Sequence, residues 1–429
     1  MTHNTYITPT KVQKDAKLGD IPMDWKVVSF GDISDKKTKW NITGGPFGSD
    51  LKSEHYTDSG VRVIQLQNIG DGTFNQEYKI YTSEEKADQL IACNIFPGEI
   101  ILSKMGDPVA RACFIPNGEN RYLMGSDGIR LVVNKEKFDS KFVLEYINYS
   151  IFRNLAIRHS TGSTRSRIGL TDLRKLPFIC PPLSEQKKIA QILSVWDKAI
   201  VKQGALLVHK QKVKKGLKQQ LLTGKKRLKG FKGKWLNTKL GSLTTIKAGG
   251  TPSKAIPEYW DGNIRWMNSG ELNLKKVSEV EGRINELGLK NSSTNLLPKF
   301  CVLIGLAGQG KTRGTAAINL VELCTNQSVA AVLPSENFDS FFMYFLIDSK
   351  YELLRQLSAG DGGRGGLNLK ILNGLKVSIP EIKEQQRIAE VLTAADDEIT
   401  TLKQQLQQLN TQKQGLMQQL LTGKIRVKV

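Results

Sequence analysis

The sequence predicts a mixed α/β (α+β) protein in which two similar globular domains are joined by two long helices, as a pseudo-twofold internal repeat. Three observations predict this architecture: a long stretch that occurs twice, a coiled-coil spacing of apolar residues in both copies, and short β-branched runs between Gly, Pro and Asn turns before each copy. A repeat on this scale indicates one structural unit used twice.

The two copies span residues 185–227 and 384–426, and 19 of their 43 aligned positions are identical without a gap. Both begin Glu-Gln-x-x-Ile-Ala and end Gln-Gln-Leu-Leu-Thr-Gly-Lys-x-Arg. Proline stands just before each copy and glycine just after its last apolar residues, as helix boundaries require. Each copy is therefore predicted to be one long helix, the first over 185–223.

Apolar residues recur at alternating steps of four and three in both helices, which is the spacing of a coiled-coil seam. Two seams of equal length favour packing of the helices on each other over the alternative, in which each helix packs on its own domain. The first seam also contains Gln203, Lys210 and Lys214. Gly216 and Gly415 occupy equivalent interior positions, where we expect close approach of another backbone. The predicted interface residues are Ile189, Leu193, Leu207, Leu217, Leu221, Ile388, Leu392, Ile399, Leu406, Leu416 and Leu420.

The predicted boundaries are a globular domain over 1–180, the first helix over 181–227, a second globular domain over 228–379 and the second helix over 380–429. The two globular domains share their turn-rich stretches, their short strands and a late apolar helix followed by a Gly/Ser/Arg-rich loop. Between these shared segments the two sequences diverge, as expected for two domains that recognise different targets.

The composition is that of a soluble protein, and no apolar run approaches the length of a membrane span. Five scattered cysteines without Cys-x-x-Cys spacing predict free thiols and no metal site, and we expect a cytoplasmic location. The formal charge is +21, and the sixty residues 198–257 hold sixteen Lys or Arg and no acid. Such a basic stripe is typical of a nucleic-acid-binding surface, the alternative being a merely solvated face.

At this point the chain resembles the specificity subunit of type I restriction–modification enzymes. The resemblance lies in the two Pro-x-x-x-Glu-Gln-x-x-Ile-Ala openings, the two Leu-Leu-Thr-Gly-Lys ends and the Gly-Gln-Gly-Lys-Thr-Arg-Gly run at 308–314. It implies that each globular domain is a target-recognition domain for one half of a bipartite double-stranded DNA sequence. The helices would form an antiparallel coiled coil that sets the gap between the halves.

The resemblance also implies partners and the absence of catalysis in this chain. Two adenine methyltransferase subunits would dock on the helices, and motor-nuclease subunits would join for cleavage. We expect no cofactor here, with S-adenosylmethionine, ATP and magnesium on the partner subunits. The predicted DNA-contacting residues are all in loops: Lys104, Arg111, Ser163, Arg165, Arg167, Gln309, Lys311, Arg313 and Arg364.

Two other functions remain open from the residues alone. Residues 305–312 match the Gly-x-x-x-x-Gly-Lys-Thr pattern of a P-loop NTPase, although the apolar run at 316–320 indicates a strand where that site requires a helix. A coiled-coil assembly protein without DNA function is the other alternative, and the basic stripe disfavours it. Intrinsic methylation is not expected, because Cys-Pro-Pro-Leu at 180–183 lacks both outer residues of a base-holding [Asn/Asp]-Pro-Pro-[Tyr/Phe] loop.

Overall fold

The computed structural model describes residues 6–7, 11–15, 17–162, 165–308, 310–359 and 366–429. The chain divides into two compact units. The first comprises residues 1–203 and 405–429, and the second comprises residues 204–404. Each unit therefore contains a globular domain, part of the first long helix and part of the second.

The two long helices are Leu183–Leu221 and Ile382–Leu420, of 39 residues each. The first begins two residues before the predicted start and ends two residues before the predicted end. Gly224 and Gly423 follow the helices with φ values of +69° and +73°, a left-handed conformation that glycine adopts without strain and that commonly ends a helix.

In the first unit, the two helix segments run antiparallel. Asp197 accepts a hydrogen bond from Lys413 at 2.6 Å, and further along the first helix Gln203 donates to Gln405 at 2.8 Å. Apolar side chains from both segments, including Leu193 and Leu420, lie in the same hydrophobic core as the globular domain. The ends of both helices are thus part of the domain core.

The second unit repeats this arrangement. Lys214 pairs with Asp396, and Lys210 lies 2.7 Å from a carboxylate oxygen of Glu398. Leu221 and Ile388 share the core of the second globular domain. The polar residues in the first helix's seam therefore have polar partners on the second helix, so they interrupt the apolar packing without leaving charges unpaired.

Burial of the predicted seam residues varies along the helices. Most of the buried side chains lie near the first or the last residues of a helix, and Ile399 near the middle of the second helix is also buried. The half-buried side chains lie in the middle of the helices or about one turn before their ends. The buried set is Ile189, Leu193, Leu221, Ile388, Leu392, Ile399 and Leu420, and the half-buried set is Leu207, Leu217, Leu406 and Leu416. The expectation for Gly216 and Gly415 was wrong, because a Cβ at either position would meet no described atom within 4 Å.

Among its described residues, the globular part of the first unit contains short strands and four short α-helices. A four-stranded sheet has the order Ala112–Phe114, Ile100–Ser103, Gly128–Leu131, Ile42–Gly44. A five-stranded sheet has the order Tyr56–Thr57, Ile80–Thr82, Val61–Ile64, Tyr122–Met124, Asn94–Ile95. The remaining strands pair in twos: Tyr6–Ile7 with Arg426–Val427, Val12–Asp15 with Gly19–Pro22, Lys26–Ser29 with Pro177–Cys180, and Ser160–Thr161 with Arg167–Ile168. The helices are Glu84–Gln89, Ser140–Asn148, Ser150–Arg158 and Leu170–Lys175.

The second unit has the same strand order in its main sheet, with one strand added. That sheet runs Ile246–Ala248, Val329–Val332, Val302–Gly305, Ala316–Asn319, Lys276–Val277. A three-stranded sheet runs Arg283–Ile284, Trp260–Met267, Cys324–Thr325, and Leu236–Lys239 pairs with Lys376–Ile379. The helices are Glu286–Lys290, Ser340–Ser349, Tyr351–Leu357 and Leu369–Asn373. The mixed α/β class and the internal repeat predicted from sequence are confirmed.

The part of the chain that the structure describes contains all five cysteines but no metal-binding cluster and no membrane-spanning helix. All five cysteines are free thiols. No cluster of three or more His, Cys, Asp or Glu side chains there has a metal-binding arrangement. No helix there is both long and apolar enough to cross a membrane.

Candidate nucleic-acid interface

Two β-hairpin loops carry most of the predicted DNA-contacting cations. In the first unit, residues 104–111 connect two antiparallel strands in which Ile101 pairs with Cys113. In the second unit, residues 306–315 connect two antiparallel strands in which Leu303 pairs with Ala317. The two loops are topologically equivalent, since each joins the same pair of neighbouring strands in the shared strand order: Ile100–Ser103 to Ala112–Phe114, and Val302–Gly305 to Ala316–Asn319.

A second loop meets the hairpin loop in each unit. In the first unit, the Ile168 amide donates to the Lys104 carbonyl at 3.0 Å, and Met105 forms an isolated β-bridge with Arg167. In the second unit, the Leu367 amide donates to the Leu306 carbonyl at 3.0 Å. Both contacts place the end of the Gly/Ser/Arg-rich loop against the base of the hairpin loop. Sequence alone separates these loops by about sixty residues, and the fold brings them together twice.

The first unit places Lys104 and Arg167 on the wall of one pocket of about 310 Å³. The Arg167 guanidinium donates to Asp127 Oδ1 at 2.6 Å and its side chain remains 46% exposed. Arg165 is exposed on the adjoining loop. Arg111 is half-buried, and its Nε has no hydrogen-bond partner among the described residues. Ser163 lies outside the described residues.

The second unit exposes Lys311 at the tip of its hairpin loop. The loop backbone is held by side chains of the helix Tyr351–Leu357: Arg355 donates to the Gly310 carbonyl at 2.6 Å, and the Tyr351 hydroxyl donates to the Lys311 carbonyl at 3.3 Å. Arg313 is half-buried with a buried Nε that has no described partner, like Arg111 in the first unit. Gln309 and Arg364 lie outside the described residues.

The Gly-Gln-Gly-Lys-Thr run does not have the geometry of a P-loop. A phosphate-binding P-loop leads from a strand directly into a helix, whose N-terminus holds the phosphate. Here the run leads into the strand Ala316–Asn319, which pairs back antiparallel on Val302–Gly305. Within the described residues 310–332 there is no helix. The structure therefore gives no support to the nucleotide-binding alternative.

Several residues of these loop clusters could not be predicted from the sequence. Phe47, Ser126 and Leu170 line the same pocket as Lys104 and Arg167. The sequence predicts a turn at Gly44–Gly48, but it does not distinguish an exposed Phe47 from a phenylalanine of the core. The hydrogen bond between Asp127 and Arg167 could not be predicted, because the two residues are forty positions apart in the sequence.

Both loop clusters stand on a domain that is joined to the two helices by the repeated motifs. In the first unit, Glu185 is buried and accepts hydrogen bonds from Arg426 at 2.8 and 2.7 Å and from the Trp25 indole at 3.0 Å. In the second unit, Glu384 accepts two bonds from Arg227, both at 2.6 Å. The first Glu of each opening thus pairs with the last Arg of the opposite copy, which explains why both motifs are repeated.

The neighbouring glutamine repeats as well. Gln186 donates to the Pro181 carbonyl at 2.8 Å and accepts from the Asp139 amide at 2.9 Å. Gln385 makes the same two bonds in the second unit, to the Pro380 carbonyl at 2.8 Å and from the Asp339 amide at 2.9 Å. Since each Asp caps the late apolar helix of its domain, this glutamine fixes that helix to the start of the long helix.

The basic stripe on the first helix is partly neutralised within its unit. Lys210 and Lys214 pair with acids of the second helix, and Lys218 pairs with Asp348 of the globular domain. Burial opposes ionisation of Asp348, but Lys218 and Lys275 outweigh it and hold its pKa below the ordinary value. Only part of the positive charge counted from the sequence is therefore available to a phosphate backbone.

A similar charge network lies in the first unit. Lys141 and Lys413 both contact the carboxylates of Asp197 and Glu145, at distances of 2.6 to 2.9 Å. Burial raises the pKa of Asp197, and hydrogen bonds from the two lysines more than offset it, so the net pKa is below the ordinary value of 3.8. The network ties the second helix to the first helix and to the domain core.

Comparisons with known proteins agree with this arrangement. The family model described as the type I restriction modification DNA specificity domain matches residues 22–206 and 232–411, once in each half of the chain. The type I restriction enzyme MjaVIII specificity subunit of Methanocaldococcus jannaschii is 23% identical and covers 95% of this chain and 94% of its own. The EcoR124I/EcoR124II specificity subunit of Escherichia coli is 30% identical over 60% of this chain and 64% of its own.

Among solved structures, the S subunit of a type I restriction–modification system from M. genitalium has the same fold. Its TM-score is 0.58 at 16% sequence identity, and the match covers 99% of this chain and 100% of that one. The two matched domains account for most of the chain and coincide with the two repeated halves. The chain therefore belongs to the family of type I restriction–modification DNA specificity subunits.

Proposed function

We propose that each unit reads one half of a bipartite DNA target and that the paired helices set the gap between the two halves. The observation that carries this proposal is the repeated loop cluster: in each unit the hairpin loop and the end of the Gly/Ser/Arg-rich loop meet through an equivalent backbone hydrogen bond. Two similar readers on one scaffold suit a target made of two half-sites at fixed separation.

The chemistry of the clusters supports contact with DNA. Lys104 lies on the hairpin loop of the first unit and Lys311 on that of the second, and Arg167 lies beside Lys104 in the short strand Arg167–Ile168. Lys and Arg contact phosphates, and Arg also reads guanine edges in the major groove. The further predicted contacts Ser163, Gln309 and Arg364 remain part of the proposal.

The chain acts without chemistry of its own in this proposal. Two adenine methyltransferase subunits dock on the helices, and motor-nuclease subunits join the complex for cleavage. S-adenosylmethionine, ATP and magnesium belong to those partners, and the complex works in the cytoplasm. The relatives are specificity subunits of type I restriction enzymes, which supports a recognition role for this chain.

The first experiment is to map methylated adenines in the source genome with and without this gene. The proposal expects one gapped, two-part motif to lose methylation on deletion and to regain it on complementation. An unchanged methylation map, with active methyltransferase partners, would refute the specificity role.

The half-site assignment is tested by binding assays on the mapped sequence. Lys104→Ala with Arg167→Ala should weaken discrimination at one half-site, and Lys311→Ala at the other. Lys37→Ala is the matched control, because Lys37 is 78% exposed and pairs with Glu136 outside these loops. Discrimination is measured by comparing the mapped duplex with duplexes in which one half-site or the other is scrambled. If each variant lost affinity equally in both comparisons, the assignment of one unit to each half would be contradicted.

A further inference from the structure

Phe47 is the most exposed aromatic side chain among the described residues. Its side chain is 82% exposed, whereas the next, Phe300, is 43% exposed. It stands at the tip of the turn Gly44–Gly48, next to the hairpin loop that carries Lys104. Covering an exposed phenylalanine ring with a ligand removes apolar surface from water, so it lowers the free energy of the complex.

The backbone that presents Phe47 is held firmly. The Gly45 amide donates to the Gly128 carbonyl at 2.8 Å, and the Asp50 amide donates to the Phe47 carbonyl at 2.9 Å. A Cβ on Gly45 would lie 1.8 Å from the Gly125 carbonyl oxygen, so the turn packs backbone against backbone. Pro46 restricts the chain further through its fixed φ. The ring is therefore presented to solvent by a fixed turn.

Phe47 shares its pocket with cationic and hydroxyl groups. The pocket is also lined by Lys104, Ser126, Arg167 and Leu170, and none of the described lining residues is acidic, although Arg167 donates to Asp127 next to the pocket. The Lys104 ammonium lies over the turn, 3.9 Å from where a Cβ on Gly44 would stand. An exposed ring in one pocket with Lys and Arg is typical of surfaces that bind single nucleobases, where the cations contact the phosphates and the ring stacks on a base.

We propose that Phe47 inserts at a base step of the half-site read by the first unit and stacks on the base that this step exposes. The inference rests on the proposed function and adds the residue and the mode of contact. The ring contributes affinity and favours a flexible step, such as pyrimidine–purine, because such steps unstack at low cost. Lys104 and Arg167 hold the phosphates on either side.

The two half-sites are treated differently under this proposal. The equivalent turn of the second unit, residues 248–252, contains no aromatic residue, and Thr251 there hydrogen-bonds to Gln327 at 2.5 Å. We therefore expect base unstacking at the first unit's half-site alone.

The test uses the full-length chain and duplexes of the mapped target with 2-aminopurine replacing single adenines, whose fluorescence rises on unstacking. Phe47→Ala should bind roughly tenfold or more weakly, abolish the fluorescence rise and leave the salt dependence unchanged. Phe47→Trp should retain both binding and signal. Ile91→Ala is the control, since Ile91 is a 56% exposed apolar residue of the same unit.

The proposal would be overturned if Phe47→Ala bound DNA like the wild type and the control. If that variant then also failed to assemble with the methyltransferase subunits, the ring would be a protein contact instead. Failure of the wild type itself to prefer the gapped duplex would instead refute the proposed function, so the two failures are distinguishable.

Discussion

Replacing Arg426 by Met tests how the end of the second helix is joined to the first unit. Arg426 makes two hydrogen bonds to Glu185, which is 2% exposed, and two to Asp24 at 2.8 Å. The substitution keeps an unbranched side chain that can still cover the neighbouring apolar surface, and it removes the guanidinium with its charge and its donors. It therefore leaves the Glu185 carboxylate buried, with the Trp25 indole as its remaining partner among the groups described above.

The expected cost follows from this geometry. Removing one partner of a buried ion pair costs about 3–5 kcal/mol. The Asp24 contact adds little, because Asp24 is 57% exposed and exposed pairs contribute about 0–1 kcal/mol. With the Trp25 bond retained, we expect a loss of about 3 kcal/mol.

The assay is urea unfolding at pH 7 combined with hydrogen exchange, because two compact units need not unfold as one. Exchange should rise in the strands Lys26–Ser29 and Pro177–Cys180, which flank Trp25 and Glu185. Arg387→Met is the matched control, since Arg387 pairs with Glu390 on an exposed helix face and should lose at most about 1 kcal/mol.

A double variant separates the buried charge from the lost packing. Adding Glu185→Gln to Arg426→Met removes the stranded carboxylate and should recover about 2 kcal/mol. A loss below about 1 kcal/mol in Arg426→Met, or no recovery in the double variant, would refute the argument that this pair fixes the helix end.

Three further outcomes are expected. Asp197→Asn should lower the free energy of unfolding at pH 7. Its difference from the wild type should shrink as pH falls below about 5, because the folded pKa of Asp197 lies below the unfolded value of 3.8 and protonation in acid removes that contribution. A difference in unfolding free energy that grows in acid would contradict this. Gly216→Ala and Gly415→Ala should each stabilise the isolated chain by up to about 1 kcal/mol in urea unfolding, since a Cβ fits freely at both, and destabilisation would indicate an unseen neighbour. Burial raises the pKa of Cys113 and Cys301 to about 12, so neither should react with a thiol reagent at pH 8 until the chain unfolds, and rapid labelling of the native protein would disprove their burial.

Much of the fold could be predicted because its main signals are local or repeated. The long helices follow from a regular apolar spacing, and their ends follow from proline before and glycine after. The duplicated Glu-Gln and Thr-Gly-Lys-x-Arg motifs could be recognised by comparing the chain with itself. Their physical role could not, because Glu185 meets Arg426 across 241 positions of sequence.

The sequence by itself determined that this chain holds two copies of one unit, that the copies are α/β domains with long helices, and that the surface is basic. These properties depend on composition and short-range periodicity. Only the tertiary structure decided which positive charges remain available to DNA, because the lysines at 210, 214 and 218 form ion pairs with carboxylates that are distant in sequence. It also decided that a P-loop-like run is a hairpin loop and that Phe47 stays in water. Pairing and exposure depend on what folds against a residue, and that information is not local.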